Sequence, residues 1–327
     1  MLIDNHNRKI NYLRLAVTDR CNLRCNYCMP ENGIDFSKSD TLFTIEELSR
    51  LSGILVSEGI DKIRITGGEP FVRKDLMVLL RNLSKMKGLK DISVTTNATL
   101  IGPYIDELKT LGIKNINVSM DAINRETFEK ITRRDQYDIV HDNILRMITE
   151  GFNVRINFIA LSGQNTQDIL PMLELAKHYN VCVRYLEEMP FNGGSRHFEG
   201  NAWDYKRILS HIKEAYPNYV ELPSEATSTS MNYKIPGFKG SFGVIPSFSR
   251  TFCGSCNRLR ITATGDVITC LYAQPCMNIR EILRGELSEQ RVKEQILKAI
   301  GSRAKTGFEA QEQQKGKYTN SMTTIGG

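Results

Sequence analysis

The hydrophobic and polar positions between residues 11 and 187 repeat one pattern six times, a short apolar or alternating segment and then an amphipathic one. The short segments predict strands at 11–17, 61–66, 91–96, 114–119, 154–161 and 181–187. The amphipathic segments predict helices at about 44–58, 74–86, 103–111, 125–133, 138–150 and 168–179. This alternation favours a parallel sheet with crossover helices, and periodicity alone leaves open whether the sheet is open or a barrel.

The pattern changes after about residue 215. Residues 223–230 are polar and irregular, which is typical of a linker or an exposed loop. The remaining chain carries a helix predicted at about 289–302 and a polar run, 311–320, that is expected to be disordered. We therefore predict an α/β protein with two domains, 1–215 and 216–327, the second lying as a smaller cap on the first.

Composition restricts the function classes. The chain has 327 residues, of which 41% are hydrophobic and 24% charged, as in ordinary globular proteins. It has neither a long apolar run nor an apolar signal core at its start, so we expect no membrane span, no export and a cytoplasmic location. The eight cysteines then indicate reduced thiols. A net charge of +6 does not by itself indicate nucleic acid, but it allows a local basic pocket for an anion.

The first group of cysteines follows the first predicted strand directly. Cys21, Cys25 and Cys28 have the spacing C-x3-C-x2-C. Three soft sulfur ligands on one loop suit an iron–sulfur cluster that keeps one iron open. The alternatives are buried thiols, or a zinc site with a distant fourth ligand.

This spacing, with Tyr27 just before the last cysteine, resembles the signature of radical S-adenosylmethionine (SAM) enzymes. The resemblance implies a partial (β/α)6 barrel and a 4Fe-4S cluster that binds SAM. It also implies that the turn after the second strand binds the amino group of SAM, and paired glycines there allow close approach of the backbone to a ligand. The cofactor-binding residues that we predict are Tyr27, Gly67, Gly68, Glu69, Ser119 and Met189.

The second group of cysteines has the spacing C-x2-C-x13-C. It consists of Cys253, Cys256 and Cys270, and Cys276 could close a zinc tetrahedron instead. Arg258 and Arg260 follow at i and i+2 on a segment expected to be extended, so their side chains point to the same side. Two guanidinium groups beside an open iron describe a site for an anionic substrate.

This second constellation resembles the GTP 3′,8-cyclases of molybdenum cofactor biosynthesis, and the resemblance extends over nearly the whole chain, from Asn11 to Gly327. It implies a second 4Fe-4S cluster whose open iron binds the guanine of GTP, with Cys276 not a ligand. Alternate residues of a barrel strand point inward, so basic residues on several strands could converge on one cavity and neutralise the triphosphate. The predicted GTP-binding residues are Arg14, Lys62, Arg64, Thr95, Arg155, Arg184, Arg258, Leu259 and Arg260.

Three positions depart from the family or from simple expectation. Arg155 stands where the family commonly has lysine, which keeps the charge. Ala98 stands where glycine is usual, so a backbone turn with positive φ is not expected there. Cys182 lies in an apolar strand and is interpreted as a core thiol.

The resemblance implies a defined reaction. Reduced cluster and SAM give a 5′-deoxyadenosyl radical that takes hydrogen from C3′ of GTP, and the C3′ radical adds to C8 of the guanine. Reduction yields (8S)-3′,8-cyclo-7,8-dihydroguanosine 5′-triphosphate. The resemblance implies that this reaction is the first step of molybdenum cofactor biosynthesis and that the enzyme is a lyase.

The expected partners are an electron donor, a downstream cyclic pyranopterin synthase and, as one assembly, a second copy in a homodimer. Without the family resemblance, composition and spacing predict only two clusters with three cysteine ligands each and a site for an anionic ligand.

Two other functions remain open at this point. A radical SAM enzyme that modifies peptides would also carry auxiliary clusters, although usually with more cysteines. A zinc-ribbon protein fused to a barrel would bind zinc instead of iron, and RNA or DNA in a salt-sensitive manner.

The end of the chain carries the last predicted site residues. Gly326 and Gly327 follow an apolar Ile325 and have no side chain to obstruct entry into a crowded pocket. The family ends in the same two glycines, which implies a tail that enters the active site and assists the radical step together with Arg14. A frayed terminus is the alternative.

Overall fold

Six parallel strands alternate with helices in the first part of the chain, as the periodicity predicts. The computed structural model describes residues 1–194, 198, 200, 202–285, 289–314 and 320–326. The strands are β1 (Tyr12–Ala16), β2 (Lys62–Thr66), β3 (Asp91–Thr96), β4 (Asn115–Ser119), β5 (Asn153–Ala160) and β6 (Cys182–Glu187). The helices are α1 (Ile45–Ser57), α2 (Leu76–Ser84), α3 (Ile105–Thr110), α4 (Arg125–Thr132), α5 (Tyr137–Thr149) and α6 (Ile169–His178).

Helix α1 illustrates how local sequence determines an element. The backbone N–H of Glu47 donates to Thr44 Oγ1 at 3.2 Å, and the N–H of Thr44 donates to Glu47 Oε2 at 2.8 Å. This reciprocal capping box satisfies two N–H groups at the helix start. Leu48, Leu51 and Leu55 then lie on one face and are buried in the core between the helices and the sheet.

Most elements of the later part of the chain were not predicted from the sequence pattern, apart from one helix and the extended segment at Arg258 and Arg260. The elements of this part are α7 (Tyr205–Ala215), β7 (Val220–Leu222), β8 (Met231–Lys234), β9 (Ser241–Ile245), β10 (Arg258–Ile261), β11 (Asp266–Ile268), β12 (Met277–Asn278), α8 (Ile279–Arg284), α9 (Glu289–Gly301) and α10 (Gly307–Gln313). The helix expected at about 289–302 corresponds to α9.

All twelve strands join one sheet in the order β12-β11-β10-β1-β2-β3-β4-β5-β6-β9-β8-β7. Strand β10 runs parallel to β1, with Arg14 opposite Arg260, and β9 runs parallel to β6, with Arg184 opposite Gly243. The chain after residue 215 therefore extends the barrel strands at both edges of the sheet. The predicted partial barrel with an additional C-terminal region is confirmed, and the domain boundary at residue 215 stays a prediction.

The barrel strands have one apolar face and one polar face. In β5, Val154, Ile156 and Phe158 are buried in the core, whereas Arg155 and Asn157 face the inside of the curved sheet. Because strand side chains alternate in direction, the inner side of the sheet collects the polar residues of each strand.

The same alternation corrects the interpretation of Cys182. Its side chain is half-buried and lies beside Arg184, on the inner side of β6. Val183 and Tyr185 fill the core from the other face. The prediction of a core thiol is wrong, because the apolar appearance of the strand comes from the residues between the inward positions.

Two further expectations are corrected. Ala98 has a φ of 62°, in the left-handed region. Its N–H donates to Thr96 Oγ1 at 3.0 Å and its carbonyl accepts from Asn143 Nδ2 at 2.8 Å, which offsets the strain of a non-glycine residue there. Within the run expected to be disordered, residues 311–313 belong to α10, while 315–319 lie outside the described residues.

No helix in the described part of the chain is both long enough and apolar enough to cross a bilayer.

Candidate functional site

A cavity of about 860 Å³ lies on the inner side of the curved sheet, and both halves of the chain line it. All six cysteines of the two predicted groups contribute to its wall, namely Cys21, Cys25, Cys28, Cys253, Cys256 and Cys270. The structure thus brings together two thiol triads that are far apart in the sequence.

The N-terminal triad lies on the loop that follows β1. Arg133 supports this loop, because its Nη1 donates to the carbonyls of Arg24 at 3.0 Å and Met29 at 3.1 Å. Cys21 Sγ accepts a hydrogen bond from the N–H of Leu23 at 3.4 Å. Burial raises the pKa of the Cys21 thiol to about 12, so the free thiols are protonated and would lose their protons on binding a metal cluster.

The glycine pair after β2 packs directly against the backbone that leads into this loop. A Cβ on Gly67 would lie 2.2 Å from the carbonyl oxygen of Thr18, and one on Gly68 would lie 2.3 Å from that of Arg20. The N–H of Gly68 donates to the Thr18 carbonyl at 2.8 Å. The glycines therefore permit close approach of two chain segments, and both also line the cavity.

Glu69 is fully buried behind this turn and does not line the cavity. Its carboxylate accepts from the N–H of Asn97 at 2.6 Å, Thr96 Oγ1 at 2.8 Å and the N–H of Phe71 at 3.1 Å. Burial raises its pKa to about 7. These bonds tie the β2 turn to the end of β3, so its predicted contact with an ammonium group stays a prediction.

The other predicted cofactor residues, Tyr27, Ser119 and Met189, line the cavity. Tyr27 donates from its hydroxyl to Asp121 Oδ2 at 2.7 Å, and Asp121 Oδ1 accepts from the N–H of Ile159 at 2.7 Å. Burial raises the pKa of Asp121 to about 6. Tyr27 is thereby held in place from the ends of β4 and β5.

The C-terminal triad is formed by the turn before β10 and by Cys270 after β11. Cys253 Sγ accepts from the N–H of Gly307 at 3.3 Å, and Cys256 Sγ accepts from Arg303 Nη2 at 2.8 Å. Although burial raises it, nearby Arg258 and Arg303 lower the pKa of Cys256 to about 7. Cys276 is exposed and does not line the cavity.

Each triad fits a cluster with three protein ligands, because its thiols face one cavity and receive hydrogen bonds at sulfur. Within the described ranges, no three His, Cys, Asp or Glu side chains converge closely enough to hold a single metal ion.

All seven cationic side chains that the sequence predicts for GTP binding line the cavity. They are Arg14, Lys62, Arg64, Arg155, Arg184, Arg258 and Arg260. We call them the basic wall. Among the described residues, their only ion pair joins Lys62 to Asp91 at 2.7 Å.

Apart from the Lys62–Asp91 pair, the basic wall carries buried positive charge without an ion-pair partner among the described residues. Burial and the neighbouring Arg260 and Arg64 lower the pKa of Arg14 well below its usual range, and burial together with Arg258 lowers that of Arg260 to about 10. Arg14 Nε, Arg184 Nε and Arg258 Nη2 have no hydrogen-bond partner among the described residues. Buried, unpaired donors of this kind are stabilised by an anionic ligand.

The remaining predicted residues lie around this wall. Thr95 lines the cavity with its hydroxyl buried and unpartnered among the described residues. The side chain of Leu259 is buried in the core on the other face of β10. Gly326 lies beside Ala16 and accepts from Thr66 Oγ1 at 3.3 Å, whereas Gly327 lies outside the described residues.

Sequence reasoning missed several residues of the cavity. Tyr12 and Asn157 line it with polar atoms that have no partner among the described residues, and inward alternation from Arg14 and Arg155 could have predicted them. Arg303 also lines it, but no local pattern marks this residue.

Comparisons with known proteins agree with this geometry. The family model "Radical SAM superfamily" matches residues 15–176, and "Molybdenum Cofactor Synthesis C" matches residues 181–308. A protein named "GTP 3',8-cyclase" from Peptoclostridium acidaminophilum is 39% identical over 288 residues, which cover 87% of each chain.

"Molybdenum cofactor biosynthesis protein 1" of Dictyostelium discoideum is 40% identical over 92% of this chain but only 48% of its own length. This chain therefore spans about half the length of several relatives that it matches.

Among solved structures, Streptococcus suis SuiB bound to S-adenosylmethionine superposes with a TM-score of 0.63 at 14% identity, over 90% of this chain and 68% of that one. This likeness concerns the fold alone. On the strength of the 39% identity over most of both chains, the protein belongs to the GTP 3′,8-cyclase family of the radical SAM superfamily.

Proposed function

We propose that this protein converts GTP to (8S)-3′,8-cyclo-7,8-dihydroguanosine 5′-triphosphate, the first step of molybdenum cofactor biosynthesis. One observation carries the proposal: two thiol triads and the basic wall line the same cavity. A nucleoside triphosphate supplies both the negative charge that the arginines lack and a base that can ligate an open iron.

The N-terminal triad, Cys21, Cys25 and Cys28, would hold a 4Fe-4S cluster, and SAM would bind at the cavity residues Tyr27, Gly67, Gly68, Ser119 and Met189. When bound, these two cofactors together supply one-electron chemistry that removes a hydrogen atom from the substrate. The chain positions the reacting groups inside the sheet and keeps water away from them. Glu69 stabilises the turn that carries Gly67 and Gly68.

The C-terminal triad, Cys253, Cys256 and Cys270, would hold a second 4Fe-4S cluster, which would supply an iron site for the guanine. The basic wall takes the triphosphate. Arg258 and Arg260 connect the two functions, because they follow the cysteine turn directly and face the cavity from β10. Binding of both the base and the phosphates would fix the position of the ribose between them.

The chain end completes the site. Gly326 and Gly327 act with Arg14 in the radical step. Support comes from Gly326, whose carbonyl accepts hydrogen bonds from Thr66 on β2 and from Arg260 on β10.

The partners follow from this chemistry. The enzyme takes electrons from a reducing donor and passes its product to a cyclic pyranopterin synthase. It works in a reducing compartment, the cytoplasm, as a homodimer. Within the chain, residues 1–215 carry SAM chemistry and residues 216–327 carry the substrate cluster.

The rival functions predict different ligands. A peptide substrate does not require the basic wall, and a zinc ribbon requires a fourth ligand, whereas Cys276 is exposed and lies outside the cavity wall. Anaerobic reconstitution of the full chain followed by metal analysis separates these cases. The proposal predicts about eight iron atoms and eight sulfides per chain, as in two cubanes. One zinc with about four iron atoms would contradict it.

A further inference from the structure

Two arginines and one aspartate form a buried charged cluster against the C-terminal cysteine turn. Their side chains are almost fully buried, with 3% of Arg303, 8% of Arg8 and none of Asp4 exposed. Arg303 Nη2 donates directly to Cys256 Sγ at 2.8 Å. We call these three residues the Asp4–Arg8–Arg303 cluster.

The contacts of Arg303 orient it toward the cysteine and not toward a ligand in the cavity. One terminal nitrogen is occupied by Cys256, and the other, Nη1, lies 3.8 Å from Asp4 Oδ2. The same Asp4 oxygen accepts from Arg8 Nε at 2.6 Å. Asp4 therefore holds both guanidinium groups, and the cluster has a net charge of +1.

Arg8 joins this cluster to the backbone of the cysteine turn. Its Nη1 donates to the carbonyls of Cys253 at 2.9 Å and Lys305 at 2.7 Å, and its Nη2 donates to the Ala304 carbonyl at 3.0 Å. The N-terminal turn, the cysteine turn and the segment after α9 are thus held as one unit. The side chains that position Arg303 against Cys256 are therefore buried and held by several contacts.

The physical consequence concerns electron affinity. An iron–sulfur cluster held by three thiolates is anionic, and one-electron reduction adds another negative charge. A hydrogen bond to a ligand sulfur and a buried positive charge stabilise the reduced form more than the oxidised form, so they raise the reduction potential.

We propose that Arg303, balanced by Asp4 and held through Arg8, sets the reduction potential of the cluster bound by Cys253, Cys256 and Cys270. This inference rests on the proposed function, because it requires an iron–sulfur cluster at that triad. Arg303 acts through Cys256, as a positioning and charge-supplying residue.

The test is an anaerobic redox titration followed by electron paramagnetic resonance on the full chain. A background with Cys21, Cys25 and Cys28 replaced by alanine leaves one cluster to be observed. Arg303→Met is expected to lower the ratio of reduced to oxidised cluster at a fixed potential at least tenfold, which is 59 mV for one electron. Arg303→Lys, which keeps a positive charge, is expected to give a smaller shift.

Asp4→Asn provides the decisive comparison, because it removes a negative charge and must shift the potential in the opposite, positive direction. Structural damage would not produce shifts of opposite sign. Arg284→Met is the matched control, since Arg284 pairs with Glu47 and contacts neither cysteine turn. The reduction potential of the cluster in this variant is expected to equal that in the parent protein.

Each result has one meaning. Unchanged potentials, or shifts of the same sign in Arg303→Met and Asp4→Asn, would overturn the inference while leaving the proposed function intact. If Arg303→Met fails to retain iron, Asp4→Asn decides alone, and a potential that does not rise overturns the inference. A parent protein without a cluster at this triad would overturn the proposed function itself.

Discussion

Arg260 donates a hydrogen bond from Nη1 to the carbonyl oxygen of Gly326 at 3.1 Å. Thr66 Oγ1 donates to the same oxygen at 3.3 Å, and Gly326 adopts a φ of 79°, which favours glycine. The segment before it is also ordered in the fold, because Met322 and Thr323 line the cavity. The end of the chain therefore meets the same arginine that we place against the triphosphate.

The first prediction follows from this contact. Deletion of Gly326 and Gly327 is expected to leave both clusters and GTP binding intact but to remove the cyclised product. The physical reason is that the deletion removes a backbone contact to Arg260 and Thr66 without removing any cationic side chain. Iron content, GTP affinity and product analysis are measured on the same truncated sample.

A synthetic peptide ending in Ile-Gly-Gly serves as a rescue control for this deletion. Restoration of product by the peptide would support a role of the tail inside the cavity. A truncated enzyme that cyclises GTP at the normal rate would contradict a catalytic role of the last two glycines.

The second prediction concerns the basic wall. Arg258→Ala and Arg260→Ala are each expected to weaken GTP binding by roughly 1.5–3 kcal/mol, the range for a hydrogen bond to a charged group. Isothermal titration with GTP and, separately, with SAM measures the effect. SAM affinity is expected to stay nearly unchanged, and Arg81→Ala, at an exposed arginine paired with Glu107, is the control. Equal losses for both ligands would indicate a damaged fold instead.

The third prediction separates the cysteines of the C-terminal region. Cys276→Ser is expected to retain full iron content and cyclase activity, because Cys276 is exposed and lies outside the cavity wall. Cys270→Ser is expected to lose the second cluster. Iron and sulfide analysis of the two variants, prepared in parallel, is the measurement, and loss of that cluster in Cys276→Ser would argue for closure by four cysteines.

The fourth prediction concerns pH. Burial raises the pKa of Asp121 from 3.8 to about 6, so the folded protein holds a proton there that the unfolded chain releases near pH 4. The stabilisation from this proton is complete below pH 4 and is lost as pH rises through 6. Relative to Asp121→Asn, the free energy of unfolding of the parent should fall by roughly 2–3 kcal/mol between pH 4 and pH 7.

Urea unfolding of the cluster-free parent and of Asp121→Asn at four pH values measures this difference. Asparagine keeps an oxygen for the N–H of Ile159 and a polar group for Tyr27, so the variant removes mainly the titration. A difference that is constant with pH, or one that grows as pH rises, would contradict the account.

The strand–helix alternation could be predicted because β1–β6 and their helices impose different periods on the apolar residues. The convergence of the basic wall was also predictable, since Arg155 and Arg184 stand at inward positions of their strands. By contrast, β9 and β10 are short and pair with strands distant in the chain, so local sequence does not predict which strands they join, although Arg258 and Arg260 were expected to be extended. Their placement at both edges of the sheet depends on tertiary contacts.

The residues that sequence analysis misjudged or missed have a common physical explanation. Ala98 adopts a positive φ because Thr96 and Asn143 hold its backbone, and Asn143 comes from a different part of the sequence. Arg303 contacts Cys256 and Asp4, which come from two segments far from it in the sequence. Such residues are selected by packing between distant segments, which motif spacing does not encode.

The central claim is tested most directly by following one hydrogen atom. The full chain, loaded with both clusters, is incubated anaerobically with SAM, dithionite and GTP that carries deuterium at C3′. The account predicts deuterium in the 5′-deoxyadenosine and a nucleotide product that is a cyclised isomer of GTP, with neither formed by Cys25→Ala. Unlabelled 5′-deoxyadenosine with unchanged GTP would contradict it.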